Sequence, residues 1–255
     1  MASRRVVPTL FAALLLAVMS QSAWAQMSSL AQLYTVKPKA DMAAGFQTAL
    51  QQHVKWRAQN KDPWNWTTYE VVQGENLGSF VIRSGDHTWA DFDAYDADFG
   101  PKGRVQYLAS VAPLVESITA SISALDTAHV RLPDDLSKIT LLQVVTYYLK
   151  PDQGQRFNEV VGKFHSAIVK TDYPVYYAFV NQIAGGVGPA VTLVLPYENW
   201  AAFEGPDKPM AAMLAEVYGK KEAAKMSEEF SNCFTHVETS VLRFRPDLSV
   251  IAPGM

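Results

Sequence analysis

One segment of this chain occurs twice, and that duplication constrains the fold more than any other feature. From Phe46 to Phe92 a constant shift of 111 places Phe46 on Phe157, Pro63 on Pro174, Gly74 on Gly185, Trp89 on Trp200 and Phe92 on Phe203, without a gap. Upstream, Lys37-Pro38 matches Lys150-Pro151 after a two-residue adjustment. The copies also end alike, Arg131-Leu132-Pro133-Asp134-Asp135-Leu136-Ser137 against Arg245-Pro246-Asp247-Leu248-Ser249. So long a period means two related domains, each able to bury a core of its own, rather than a solenoid.

Residues 1–25 read as an export signal. Arg4 and Arg5 form its charged start, and Leu10 to Val18 is an apolar run too short to span a bilayer. Ala23-Trp24-Ala25 offers an A-x-A site, so cleavage is expected after Ala25 and a mature start at Gln26. Ser3-Arg4-Arg5 also admits the twin-arginine route, although Val6-Val7-Pro8 extends that motif weakly. The expected location is periplasmic or secreted, for a bacterial protein. The expected domains are then 26–137 and 138–255. No later segment is apolar enough for an integral membrane span. Loss of the signal moves the formal charge from −3 to −5, which argues against nucleic acid or anionic lipid as partner. Cys233 is the only cysteine and has no internal disulfide partner. It reads as a small apolar residue in a strand, with an intermolecular disulfide or a reactive thiol as alternatives.

Each copy reads as strand, helix, strand, strand, helical region, strand. In the second copy Leu141 to Leu149 is β-rich and ends at Lys150-Pro151. Phe157, Val160, Val161, Phe164 and Ile168 then fall on one face of an amphipathic helix, as do Ala43, Phe46, Leu50 and Val54 in the first copy. Ala184 to Pro189 is a turn between two strands, and Gly74 to Gly78 is its counterpart. It is not a dinucleotide fingerprint, because no helix and no downstream acid follow. The last strands fall at about Cys233 to Phe244 and within Ile118 to Val130. Strands apolar on both faces need helices on one side and a second sheet on the other, so two four-stranded sheets are expected face to face. Trp89 and Trp200 recur at equivalent positions and read as packing residues at a helix entrance. If they are fully buried, Trp200→Ala or Phe203→Ala would cost about 3–5 kcal/mol.

The βαββαβ order, Lys37-Pro38 with Phe46, Trp89 and Phe92, and Lys150-Pro151 with Phe157, Trp200 and Phe203 resemble the dimeric α+β barrel superfamily, which includes antibiotic-biosynthesis-monooxygenase-like and NIPSNAP-like domains. The resemblance covers nearly the whole mature chain. It implies an α+β fold of two tandem ferredoxin-like (βαββαβ) domains packed as an intramolecular pseudo-dimeric barrel. It also implies that ligands sit between the sheet and the helices of one domain. Members include cofactor-independent oxygenases, haem-degrading enzymes and chlorite-dismutase-like haem proteins. Fold alone does not choose among these, and no subfamily's catalytic set can be matched here.

The five histidines, His53, His87, His129, His165 and His236, show no H-x-x-x-H or H-E-x-x-H spacing. His236 and Glu238 share a strand face but lack a visible third metal ligand, so a cross-strand pair or an exposed polar face is the plainer reading. His53 and His165 lie near the apolar face of the first helix in their copies, one position out of register, since His53 matches Phe164. Either could face the space between helix and sheet as axial ligand or base. Without a visible carboxylate partner each reads as a helix-flank histidine half in solvent. Tyr147, Tyr148, Tyr176, Tyr177 and Phe179, with Trp64, Trp66 and Tyr69 in the first copy, suit a flat organic ligand. They also suit an ordinary sheet core. The ligand-binding candidates are therefore Tyr148, Tyr177, His53, His165 and Trp66, with no metal site and no cofactor, haem being the alternative. The expected function is binding of a small apolar or aromatic molecule. The alternatives are a cofactor-independent monooxygenase or haem-handling enzyme, and a non-catalytic protein-interaction module.

Overall fold

The computed structural model describes residues 29–250, so the export signal and its cleavage site lie outside the described residues. The first repeat runs β1 (Leu30–Pro38), α1 (Ala43–Gln59), β2 (Thr67–Gln73), β3 (Phe80–His87), α2 (Trp89–Ala97), α3 (Phe99–Ser110) and β4 (Val115–Arg131). The second runs β5 (Leu141–Leu149), α4 (Gly154–Thr171), β6 (Tyr177–Ala184), β7 (Ala190–Tyr197), α5 (Met210–Tyr218), α6 (Lys220–Asn232) and β8 (Phe234–Phe244). In α4 the apolar spacing buries Phe157, Val160, Val161 and Ile168. In α1 the same face buries Phe46, Leu50 and, in place of an apolar residue, His53. Thr88 starts α2 through a capping box, in which Asp91 Oδ2 accepts from the Thr88 backbone at 2.7 Å. The second repeat has only a 3₁₀ turn, Trp200–Glu204, at that place.

The strands close into one barrel in the order β1-β3-β2-β8-β5-β7-β6-β4. The two sheets do not simply face each other. Their edges also pair antiparallel, β2 with β8 and β4 with β6, and this leaves neither sheet with an open edge. Alternation along each strand gives a lumen face and a helix face. Val36 faces the α1 core and Tyr147 the α4 core, while Tyr148, one residue on, turns into the lumen with its cross-strand partner His236. Gly74 and Gly185, equivalent in the repeats, sit one at each seam. Both have positive φ, and a Cβ on Gly185 would lie 2.3 Å from the Ala120 carbonyl oxygen, one on Gly74 2.9 Å from Ser240 Cβ. The repeats approach too closely there for any side chain.

The segment after β8 crosses to the first repeat. Trp66 and Val250 exchange backbone hydrogen bonds at 2.8 Å, and Leu248, 1 % exposed, enters the core of Phe46, Leu50 and Phe80. Arg245 donates to Glu70 at 2.8 Å and to Gln47 at 2.9 Å.

Two expectations need correction. Trp89 and Trp200 do not pack inside, being 42 % and 46 % exposed, because each stands at the first position of its helical segment, with its ring against Phe92 or Phe203. Cys233 is buried and unpaired, but it ends α6 rather than lying in a strand, and its thiol donates to the Glu229 carbonyl at 3.1 Å.

Candidate ligand pocket in the first repeat

Position by position, the two repeats differ in chemistry under their first helices. Through the constant shift of 111, Phe164, Ile168, Tyr173 and Phe179 of the second repeat become His53, Arg57, Asp62 and Thr68 of the first. In the second repeat the space between sheet and helices is filled by a core that includes Phe157, Phe164, Phe179, Met213 and Met226. In the first it holds a cavity of about 460 Å³, between β1, β2, β3 and α1, α2, α3, within the size range of small-molecule sites. Trp64, Trp66, Phe92, Ile82 and Val54 give it apolar walls, and Leu248 closes it from the crossing tail.

His53, Gln106, Arg57, Asp62 and Tyr95 form one connected network. Arg57 Nε donates to His53 Nε2 at 2.8 Å, and His53 Nδ1 bonds Gln106 Oε1. A guanidinium can only donate, so Nε2 carries no proton and Nδ1–H is the donor to Gln106. Arg57 also pairs with Asp62 and donates to the Tyr95 hydroxyl at 2.8 Å. Its guanidinium lies 4.7 Å from the centre of the Trp66 ring. Asp62, 3 % exposed, is otherwise held by Trp66 Nε1 and the Trp64 backbone N–H, both at 3.0 Å. Every oxygen of this buried carboxylate is occupied, which a buried charge requires. Gly103 allows α3 to approach, since a Cβ there would stand 3.3 Å from Arg57 Nη2. Burial, and then the Arg57 charge, hold His53 down at about 4, so the imidazole is neutral at ordinary pH.

Three phenols complete the lining, Tyr34, Tyr95 and Tyr107. Burial pushes Tyr95 and Tyr107 up to about 12. The Tyr107 hydroxyl is buried and makes no hydrogen bond, the one such side-chain atom among the described residues. Arg104, Leu108 and Ile118 lie at the exposed side of the cavity.

Of the residues singled out in the sequence, the structure brings His53 and Trp66 together in this cavity and leaves the others elsewhere. His53 is not half in solvent, as the helix-flank reading expects, but 3 % exposed. Its carboxylate partner exists, one residue removed through Arg57. Tyr148 points to the lumen, where it donates to Glu238 at 3.0 Å and stacks on His236. Tyr177 bonds His165 Nδ1 at 2.8 Å on the other face, against α4, so these two tyrosines cannot share a ligand. Missed altogether were Arg57, Asp62, Tyr95 and Tyr107. For the first two the signal was present, as charged residues standing where the sister copy has Ile168 and Tyr173.

His53 is not placed to ligate a haem. The unprotonated nitrogen of His53, which an axial ligand would offer, is taken by Arg57, and a cation stands beside it. The matching space in the second repeat is filled by side chains. Among the described residues no three His, Cys, Asp or Glu side chains gather as metal ligands. No helix among them is long and apolar enough to cross a membrane.

No family model and no curated protein matches the sequence. Solved structures share the fold. An anthrone oxidase-like protein superposes with a TM-score of 0.55 at 12 % identity, over 90 % of this chain and 96 % of that one. A candidate monooxygenase from Fusobacterium nucleatum subsp. nucleatum gives 0.56 at 9 %, over 86 % and 93 %. Chlorite dismutase from Candidatus Nitrospira defluvii, in complex with imidazole, gives 0.53 at 10 %, over 89 % and 95 %. The chain therefore has the dimeric α+β barrel fold, with both ferredoxin-like halves in one polypeptide.

Proposed function

We propose that this protein is exported by its N-terminal signal and binds a small, flat, largely apolar molecule in the first-repeat cavity. One observation carries the reading. The same frame occurs twice, filled by hydrophobic side chains in one copy and hollowed around a satisfied polar network in the other. A void of this size costs stability at about 24 cal/mol per Å³ when it replaces packed side chains, so its retention beside a filled sister copy argues for use. The aromatic walls supply area for a planar ligand, and the hydroxyls at its edge supply orientation. The test is a titration of the mature protein with naphthalene-class probes, followed by the fluorescence of Trp64 and Trp66. Saturable quenching at one equivalent supports the reading, and absence of binding by every probe rejects it.

A second reading, cofactor-independent oxygenation of the bound molecule, is favoured by the buried neutral imidazole beside three phenols and by the names of two structural neighbours. A base is needed to remove a substrate proton before oxygen can react. In the arrangement observed, the lone pair of His53 Nε2 is committed to Arg57, so His53 positions the guanidinium and would reach a substrate proton only by giving up that bond. Oxygen uptake with a bound hydroxyaromatic, abolished in His53→Phe, would establish this reading over simple binding.

A further inference from the structure

We infer that the molecule taken up by the first-repeat cavity carries an anionic oxygen, a carboxylate or an enolate, held between the Tyr107 hydroxyl and the Arg104 guanidinium of α3. The inference rests on the cavity being a ligand site and adds the chemistry of the ligand.

Arg104 and Tyr107 are three residues apart and share one face of α3, the face that lines the cavity. Tyr107 contributes the orphan hydroxyl. Buried polar atoms are nearly always satisfied, and here the exception belongs to a residue that lines a hollow able to admit a ligand acceptor. Arg104 makes no ion pair or hydrogen bond with the described residues, whereas Arg57, on α1, is neutralised by Asp62. His53 adds no charge above a pH of about 4.

Asp96, on α2, is the lining carboxylate that opposes this assignment. Its influence is the weaker. The Tyr34 phenol is raised chiefly by burial, and of the charges acting on it Arg104 and then Arg57 lower it by more than Asp96 raises it. The potential at the Tyr34 phenol is thus positive, and a ligand anion would meet a phenol donor inside and a guanidinium at the mouth. Such charge-assisted hydrogen bonds are short and strong. The apolar body of the ligand would rest on Trp66 and Ile82. Leu108 and Ile118, both exposed, flank the entrance.

The experiment compares two naphthalene probes of nearly equal size, naphthalene-2-carboxylate and 2-naphthalenemethanol, and a bulkier one, 2,4-dinitro-1-naphtholate, by calorimetry at pH 7.5 on the mature wild-type protein, Arg104→Gln and Tyr107→Phe. The inference expects an anionic probe to bind at least about tenfold tighter than the alcohol, given what a charge-assisted hydrogen bond contributes. Which anion binds tighter distinguishes carboxylate from enolate. Arg104→Gln should bring anion and alcohol to within about twofold, and Tyr107→Phe should weaken the anion alone, since a neutral ligand gains little from a phenol donor. Equal binding of anion and alcohol by the wild type, or an anion preference that survives both substitutions, overturns the inference and leaves the pocket standing. Binding of no probe overturns the pocket reading and the inference with it. Both substitutions lie on the cavity face of α3, Tyr107→Phe keeps the ring and Arg104→Gln shortens an exposed side chain, and thermal unfolding confirms that the variants are folded.

Discussion

Arg57 Nε donates to His53 Nε2 at 2.8 Å, one turn apart on α1, at positions where the sister helix carries Ile168 and Phe164. This pair replaces a hydrophobic contact by a hydrogen bond whose remaining donors reach Asp62 and Tyr95. A network of this kind stands or falls as a unit, because each partner's desolvation is offset only while the others remain.

Removing one member should therefore harm more than removing all. Arg57→Ile strands Asp62, whose side chain has no exposure, and should cost about 3–5 kcal/mol in urea unfolding. The triple variant His53→Phe, Arg57→Ile, Asp62→Tyr installs the second repeat's residues together. It should lie within about 2 kcal/mol of wild type, or above it, because hydrophobic replacement of a buried ionic cluster is often neutral or stabilising.

Acid should weaken the fold through His53. The native imidazole is held at about 4, below its ordinary 6.5, so between those values the unfolded chain takes up a proton that the native state refuses. Stability from this group is complete above the upper value and is lost as pH falls toward the lower, in total about 3 kcal/mol. Urea midpoints at pH 7 and pH 4 should show this loss in wild type and a correspondingly smaller one in His53→Phe. His87 and His165, both also lowered by burial, act in the same direction in both proteins and cancel in the comparison.

The crossing tail predicts an asymmetry between matched residues. Leu248 is 1 % exposed in the first-repeat core, and Leu136, its counterpart in the closing motif, is 56 % exposed. Leu248→Ala should cost about 2–5 kcal/mol, and Leu136→Ala less than about 0.5 kcal/mol. Equal effects would mean that the tail does not dock as described.

At the seams, Gly185→Ala combines a positive φ of 73° with a Cβ placed 2.3 Å from the Ala120 carbonyl. Neither the backbone nor its neighbour can relieve this cheaply, so a loss well above about 1 kcal/mol is expected. Gly78→Ala has a positive φ of 80° but open space, and it measures the conformational part alone.

Much of this architecture is legible in the sequence, because the duplication and the helix faces of Phe46 and Phe157 set element order and repeat number. Edge pairing was not legible. The strand patterns say which faces are apolar, and nothing in them marks β2 for β8. Trp89 and Trp200 misled because recurrence in both copies signals a shared framework role without saying that the role is internal. Trp200→Ala, at 46 % exposure, should cost about 1 kcal/mol rather than the 3–5 kcal/mol of a fully buried ring. The pocket was half legible. His53 and Trp66 stood out as residue types, while Arg57 and Asp62 resembled ordinary surface charges until set against Ile168 and Tyr173. Tyr107 carried no signal at all, since an orphan hydroxyl exists only in three dimensions.

The most direct measurement is calorimetric binding of naphthalene-2-carboxylate to wild type and to the His53→Phe, Arg57→Ile, Asp62→Tyr variant, with both shown folded by thermal unfolding. The account predicts one saturable site in wild type and affinity weakened more than about tenfold in the variant, whose first repeat would be filled like its second. Equal binding by the two proteins would place the ligand outside this cavity and contradict the account.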